Sequence, residues 1–145
     1  MKRGLMIAGL VLGLAGGAAM AQADEGAIEY RQAVFQAIGG HMSALVKIVR
    51  QEVPHTQDVM IHAEGIADFA PLTEHIFPEG SGDGRTDALA AIWEDTEDFA
   101  QRRQTFLTAA EDLRGAAGGS MREFVGAFQE LGNSCQGCHD NYRAD

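Results

Sequence analysis

The chain has 145 residues, with 11 lysines and arginines against 21 aspartates and glutamates, which gives a formal net charge of −10. This length suits one domain with a single core. The negative charge disfavours binding to nucleic acid or to anionic lipid, because both would be repelled, but it permits a basic protein partner.

Residues 1–23 are typical of a secretory signal peptide, with two basic residues, an apolar run and small-x-small cleavage sites that end at Ala21 and Ala23. Cleavage after Ala23 removes both of those basic residues and no acidic one, so it changes the net charge from −10 to −12. The sequence therefore predicts a periplasmic protein whose single domain spans 24–145. A membrane anchor is the alternative, but the apolar run is short and ends in a cleavage site.

A first long helix is predicted over 25–50. Its inner face is marked by residues that alternate at spacings of four and three, namely Arg31, Phe35, Ile38, Met42, Leu45 and Val49. The pair Gly39-Gly40 interrupts this pattern and indicates a kink, or else close approach of another helix or of a flat group. Pro54 is expected to end the element.

A second helix is predicted to begin near Thr56, with an apolar face made of Val59, Ala63, Ile66 and Ala70. Pro71 should loosen or end it, and a short helical piece through Ile76 is expected to follow. The stretch 77–84 is rich in glycine and proline, which predicts a loop.

A third helix is predicted to begin near Asp95 or Thr96, after a short turn around Ile92-Trp93, and to end in the glycine-rich stretch 115–119. Its buried positions are expected at Phe99, Phe106, Ala110 and Leu113.

Ser120 and Glu123 match a capping box, which predicts the start of a fourth helix. Its inner face runs through Phe124, Phe128 and Leu131, and the next steps of four and three reach Cys135 and Cys138. Four amphipathic helices with no strand signal predict an all-α, antiparallel four-helix bundle, with both cysteines on the core side of the last helix.

The stretch from Cys135 to His139 reads Cys-x-x-Cys-His, the pattern for covalent attachment of a c-type haem. Two thiols three residues apart lie on one side of a helical turn and can each add to a porphyrin vinyl group, while the histidine can ligate the iron. A disulfide or a thioredoxin-like redox pair is the alternative, but the preceding residues do not form a strand pattern. A zinc site would need more ligands.

With this motif on the last helix of a bundle, the chain resembles the cytochrome c′ family. The resemblance covers essentially the whole of 24–145. It rests on Tyr30-Arg31-Gln32, on Ile38-Gly39-Gly40-His41-Met42, on Thr86-Asp87 before Ile92-Trp93, and on the end of the chain from Ser134 to Arg143. It implies one covalently attached haem c held between the helices.

The resemblance also implies that His139 is the only protein ligand to the iron, which would then be five-coordinate and high-spin. Phe35 would press over the vacant face. A phenyl ring cannot coordinate iron, so it can only exclude water and limit what enters; a plain core role for Phe35 is the alternative. Met42 lies seven residues further along the helix, roughly 10 Å at 1.5 Å per residue, and is interpreted as a core residue.

Four further site residues come from the same resemblance. Arg31 and Gln32 match residues near the haem propionates, Arg143 matches a basic residue beside the proximal histidine, and Asp87 would border the cofactor. Arg31 lies on the inner face, where a charge needs an anionic partner unless the position is solvated.

The preferred hypothesis is a periplasmic haem protein that cycles between ferric and ferrous iron and admits small uncharged ligands such as nitric oxide or carbon monoxide. Homodimer formation through the first two helices is implied by the resemblance alone. The alternatives are a low-spin carrier with histidine and methionine ligands and an exported thiol oxidoreductase. No hydrolytic residue set is found, so an enzyme is not predicted. His41, His55, His62 and His75 show no metal-site spacing and are expected to have surface or capping roles.

Overall fold

A computed structural model describes residues 15–144 of the chain. The predicted signal peptide falls mainly on residues outside this range, and its last residues belong to the first helix. Its cleavage therefore stays a prediction. No helix among the described residues is both long and apolar enough to cross a bilayer.

The described residues form four long helices: α1 (Ala15–Val49), α2 (Val59–Phe69), α4 (Thr96–Ala116) and α5 (Met121–Tyr142). A single turn, α3 (Ala91–Glu94), precedes α4, and 3-10 turns at Thr56–Asp58 and Ala70–Glu74 flank α2. The described residues contain no strand, only an isolated antiparallel bridge between Ala88 and Arg143. The predicted all-α bundle is confirmed. α1 packs on α2, α2 on α4, and α4 on α5.

The helix boundaries follow local chemistry. The Asp95 side chain accepts a hydrogen bond from the backbone N–H of Asp98 at 3.3 Å and caps α4. Ser120 and Glu123 form the predicted capping box at the start of α5. Pro71 lies at the start of the 3-10 turn that follows α2, where its missing N–H is tolerated. The predicted starts of the third and fourth helices are therefore confirmed.

The apolar faces of α2 and α4 are buried as predicted, and they meet α1 and α5 in one core. The fully buried large side chains are Leu45, Ile66, Leu113, Phe124 and Leu131. A smaller cluster beside this core contains Ile92, Phe99 and Tyr142. It connects the short α3 turn to the end of α5, and Cys138 packs against it.

The inner face of α1 differs in part from the prediction. Arg31, Ile38 and Leu45 are buried, but Val34 and Ile48 take the positions assigned to Phe35 and Val49. Phe35 remains 37% exposed. Because a helix has 3.6 residues per turn, a pattern of fours and threes fits two adjacent faces almost equally well. Packing against the neighbouring helices decides which of two successive residues, such as Val34 and Phe35, is buried.

The glycine pair of α1 does not mark a helix crossing. The helix continues through Gly39 and Gly40, and a Cβ added at either would meet no atom within 4 Å. Close approach of another helix, one of the alternatives to a kink, is therefore not observed. Gly39 instead lines a cavity, so the alternative of a flat group beside the pair stays open.

The capping box makes a testable contribution to stability. Ser120→Ala removes the hydroxyl that accepts from the Glu123 N–H, and we expect the free energy of unfolding to fall by about 1 kcal/mol. Urea denaturation followed by circular dichroism measures this. Ser43→Ala, at an exposed position inside α1, is the control and should leave the midpoint unchanged or slightly higher, because alanine is the better helix former. Equal effects from the two substitutions would show that the cap is not formed in solution.

Candidate functional site

A cavity of about 720 Å³ lies between α1 and α5, bounded also by α4 and by the loop that precedes α3. Its volume falls in the range of ligand pockets, about 300–1,000 Å³. All the residues proposed from the sequence line it: Arg31, Gln32, Phe35, Asp87, Cys135, Cys138, His139 and Arg143. The structure therefore brings together residues more than 100 positions apart. Their individual roles stay predictions.

α5 places both cysteines on the same wall, because residues three apart lie on one face of a helix. Both are free and half-buried. Burial is the largest cause that raises the pKa of each thiol above its ordinary value. Redox-active thiols have a lowered pKa, so this environment argues against the thiol-oxidoreductase alternative.

His139 follows directly and lines the same cavity. Partial desolvation lowers the pKa of its imidazole, and the positive charge of Arg143 lowers it further, against an opposing effect of Asp140. The ring is therefore neutral near pH 7. A neutral imidazole is the form that ligates a metal ion.

Aromatic rings line one side of the cavity from α1 to α5. The Phe35 ring lies 6.0 Å from that of Phe77, the Phe77 ring 5.0 Å from that of Phe99, and the Phe99 ring 5.0 Å from that of Tyr142. All three pairs are tilted or edge-on, the arrangement that aromatic pairs prefer. The sequence did not identify Phe77 as a site residue, because it lies in a loop that has no periodicity.

Arg31 is 3% exposed, so the solvated alternative is wrong. Its guanidinium donates to the carbonyl of Ile76 at 3.2 Å, to the hydroxyl and the carbonyl of Ser81 at 2.7 Å each, and to Thr86 Oγ1 at 2.9 Å. It also lies 5.0 Å over the Phe77 ring. Desolvation lowers its pKa.

Neutral acceptors therefore hold Arg31 in place, and the expectation that only an anion could explain its position is wrong. Among the side chains that the structure describes, no carboxylate forms an ion pair with it. The guanidinium ties the loop to α1 while it still borders the cavity. A net positive charge thus remains at this wall.

The loop beside the cavity is connected to the chain end. Gln32 Nε2 donates to the carbonyl of Arg85 at 2.8 Å. The N–H of Ala144 donates to the carbonyl of Asp87 at 2.8 Å, and the N–H of Leu89 to that of Tyr142 at 3.0 Å. These backbone bonds hold Asp87 next to the C-terminal end of α5. The same pairing positions Arg143 at the mouth of the cavity.

A polar network that the sequence did not indicate fastens the cysteine-bearing turn to α4. Arg102 Nε and the hydroxyl of Tyr142, the latter at 2.7 Å, both donate to Asp98 Oδ2, and Arg102 Nη1 donates to the carbonyl of Gly137. The hydrogen bond to Asp98 is the main cause that raises the pKa of Tyr142 to about 12. The hydrogen bond from Arg102 is the main cause that lowers the pKa of Asp98. Near neutral pH the phenol is therefore uncharged and the carboxylate is ionised.

His41 and His62, expected to have separate surface or capping roles, are in contact. Their Nδ1 atoms lie 3.1 Å apart across α1 and α2. The sequence interpretation is wrong here because 21 residues separate them and only helix packing brings them together. His55 and His75 are exposed, in agreement with the prediction.

The residues around the cavity suit the c-type haem that the motif indicates. Its lining is mainly apolar, as a flat macrocycle requires, and includes Ile38, Met42, Phe77, Phe99 and Phe106. Thiols at the required spacing and an adjacent neutral imidazole occupy one wall. Arginines at the other edges carry the charge that suits propionates. The residues fit the group.

The role of Arg31 in holding the loop is open to test. Arg31→Met keeps the apolar stem but leaves the buried carbonyls of Ile76 and Ser81 without their donor. We expect the free energy of unfolding to fall by about 2 kcal/mol. Urea denaturation of the intact protein measures this change. Arg85→Met is the control, because the Arg85 side chain is 90% exposed and its surface ion pair with Glu25 contributes little.

This chain is similar to known proteins along most of its length. Residues 26–143 match the family model described as Cytochrome C′. A cytochrome c′ from Pararhodospirillum photometricum is 35% identical over 121 residues, 82% of this chain and 97% of that protein. Cytochrome c prime from Shewanella frigidimarina superposes with a TM-score of 0.81 at 34% identity, over 84% of this chain and 97% of that one. A nitric oxide complex of a mutant cytochrome c prime from Alcaligenes xylosoxidans superposes with a TM-score of 0.77 at 29% identity, over 84% and 97%.

Proposed function

Since the chain belongs to the cytochrome c′ family, whose proteins carry a covalently attached c-type haem, we propose that Cys135 and Cys138 bind this haem and that His139 ligates its iron. One observation carries the assignment: α5 presents the three side chains to a single apolar cavity of about 720 Å³. The raised pKa of both thiols also fits residues that end as thioethers rather than as a redox pair.

When bound, the haem supplies a one-electron ferric–ferrous couple and a coordination position for a ligand. The chain's own residues prepare the site around it. His139 would offer a neutral nitrogen from α5, and Phe35, on the α1 wall of the cavity, would limit the entry of water. Arg31 and Gln32 line the same cavity and would face the propionates as a cation and an amide donor. Arg143 and Asp87 also line the cavity, and the positive charge of Arg143 favours the neutral form of His139.

The resulting function is electron transfer, binding of a small uncharged gas such as nitric oxide or carbon monoxide, or both, at a five-coordinate, high-spin iron. A solvated anion would lose its hydration against Phe35 and find no hydrogen-bond donor on that ring. The nitric oxide complex of the Alcaligenes xylosoxidans relative supports gas binding. Peroxidase turnover is not proposed, because it needs a distal acid–base group that a phenyl ring does not provide.

A six-coordinate carrier with histidine and methionine ligands is the second candidate, and one observation favours it: Met42 lines the same cavity. Phe35 and Met42 are seven residues apart on α1, roughly 10 Å along its axis. A side chain that covers the iron and one that binds it cannot both be centred on the same atom. The two candidates therefore exclude each other.

Absorption spectra of the untagged holoprotein, ferric and ferrous, with and without nitric oxide, decide between them. The proposal expects a high-spin ferric spectrum and a ferrous spectrum that changes on addition of the gas. A sulfur-to-iron band at the red end, with no change on addition of gas, would establish the second candidate. A colourless protein from a host with haem-attachment machinery would overturn both.

The predicted leader and the family together support a periplasmic location, where c-type haem is attached. A homodimer through α1 and α2 is part of the same proposal, and the exposed Ile61 on α2 is a side chain that such an interface could cover. Sedimentation equilibrium of the holoprotein should give twice the chain mass. A monomer at micromolar concentration would contradict this assembly.

A further inference from the structure

A second cluster of potential ligands lies outside the haem cavity. His41 on α1 and His62 on α2 are both half-buried, and neither lines that cavity. Their ring centroids are 5.3 Å apart with an interplanar angle of 62°, and their Nδ1 atoms are 3.1 Å apart. Nothing in the proposed haem function uses either ring.

The separation of the two nitrogens fits a shared metal ion. Zinc binds imidazole nitrogen at about 2.0–2.1 Å, and two such bonds to atoms 3.1 Å apart enclose an angle of about 100°, close to tetrahedral. Without an ion, one N–H···N hydrogen bond explains the same contact. Histidine χ2 angles have broad minima, so small ring rotations can direct both lone pairs to one point.

The position of the His41 ring depends on a glycine. A Cβ added at Gly65 would lie 2.5 Å from both Cε1 and Nε2 of His41, closer than real contacts allow. Only the absence of a side chain at this point of α2 lets the imidazole lie across the helix and meet His62. Gly65 therefore leaves room for the His41 ring beside His62. It takes no part in the contact between the two Nδ1 atoms.

The charge state of His41 also suits ligation. Desolvation, and secondly the neighbouring His62, lower the pKa of His41. At neutral pH the ring is therefore uncharged, as a metal ligand must be.

We propose that His41 and His62 form a binding site for Zn²⁺ or another divalent ion that prefers imidazole, with water in the remaining positions. No third histidine, cysteine, aspartate or glutamate completes the group among the described residues, so the site is a two-ligand clamp and not a closed structural centre. The bound ion connects α1 to α2. It stabilises the folded chain by mass action, because the unfolded chain does not hold the two rings together.

Isothermal titration of untagged holoprotein with zinc chloride at neutral pH tests the site. We expect one ion per chain and a rise in melting temperature with zinc concentration. His41→Gln and His62→Gln should each weaken this binding by about tenfold or more, since even loss of a residue that merely supports a ligand costs about 10–100-fold in affinity. His55→Gln and His75→Gln, at exposed histidines, are the controls and should bind zinc as the parent does.

Gly65→Ala keeps both histidines but pushes the His41 ring away, so it should weaken zinc binding as well. Circular dichroism confirms that each variant retains the parent helix content. Absence of zinc binding in the parent, or undiminished binding after His41→Gln or His62→Gln, overturns the proposal. Undiminished zinc binding in Gly65→Ala would show that the position of the His41 ring does not depend on Gly65. The haem spectrum should not change with zinc, so this result is independent of the proposed haem function.

Discussion

Replacing Cys135 and Cys138 together with alanine should abolish covalent haem attachment, so that the purified protein shows no haem stain on a denaturing gel. The reason is chemical: each thioether needs one of these sulfurs, and no other cysteine exists in the chain. Absorbance of the purified protein and haem staining after denaturation measure the effect. The expected change is from one haem per chain to none.

Asn133→Ala is the matched control, because Asn133 is exposed on the same helix and does not line the cavity. It should retain a full complement of haem. Haem that stays bound to the double cysteine variant after denaturation would contradict the attachment site. A disulfide between the two sulfurs in the purified parent protein would support the redox alternative instead.

Replacing Phe35 with alanine should raise the affinity of the ferrous protein for carbon monoxide by about tenfold. A ligand that enters beside Phe35 must displace its ring. Full burial of a phenylalanine contributes roughly 1.5–3 kcal/mol, and Phe35 is 37% exposed, so only part of that energy is lost. Removing the ring removes that cost, and a tenfold change in affinity corresponds to about 1.4 kcal/mol. Spectroscopic titration with carbon monoxide gives both dissociation constants.

Phe128→Ala is the control: it also removes a phenyl ring, but from α5, at a core position that does not line the cavity. It should lower stability and leave carbon monoxide affinity unchanged. An unchanged or weaker affinity in Phe35→Ala would show that Phe35 does not cover the ligand site. A shift of that variant to a low-spin spectrum would instead identify Met42 as a residue that can reach the iron.

Much of the fold could be predicted because its signals are local. The apolar face of α4 (Phe99, Phe106, Ala110 and Leu113) and the capping box of α5 depend only on residues within a few turns of each other. Such signals are present in the sequence whatever the partner helix is. The face of α1 was predicted less well. The choice between Val34 and Phe35 depends on what lies opposite them.

Within the candidate site, the spacing of the motif from Cys135 to His139 was enough to predict haem attachment. The family resemblance predicted the five remaining site residues. The structure added contacts between distant positions that no spacing encodes. These are the hydrogen bonds of Arg31 to a loop about 50 residues away and the network of Asp98, Arg102 and Tyr142. They also include the pair of His41 and His62.

Residue order alone was enough to predict the four helices, the capping box of α5 and the haem-attachment motif, because each arises from neighbours along the chain. It did not give the start of α1, which lies at Ala15 and not near residue 25. Helix packing decided which side of α1 is covered and which neutral groups accept hydrogen bonds from the buried Arg31. It also brought His41 and His62, 21 positions apart, into contact. The physical reason is that burial and desolvation are properties of the assembled core. They come into existence only when separate helices exclude water from between them.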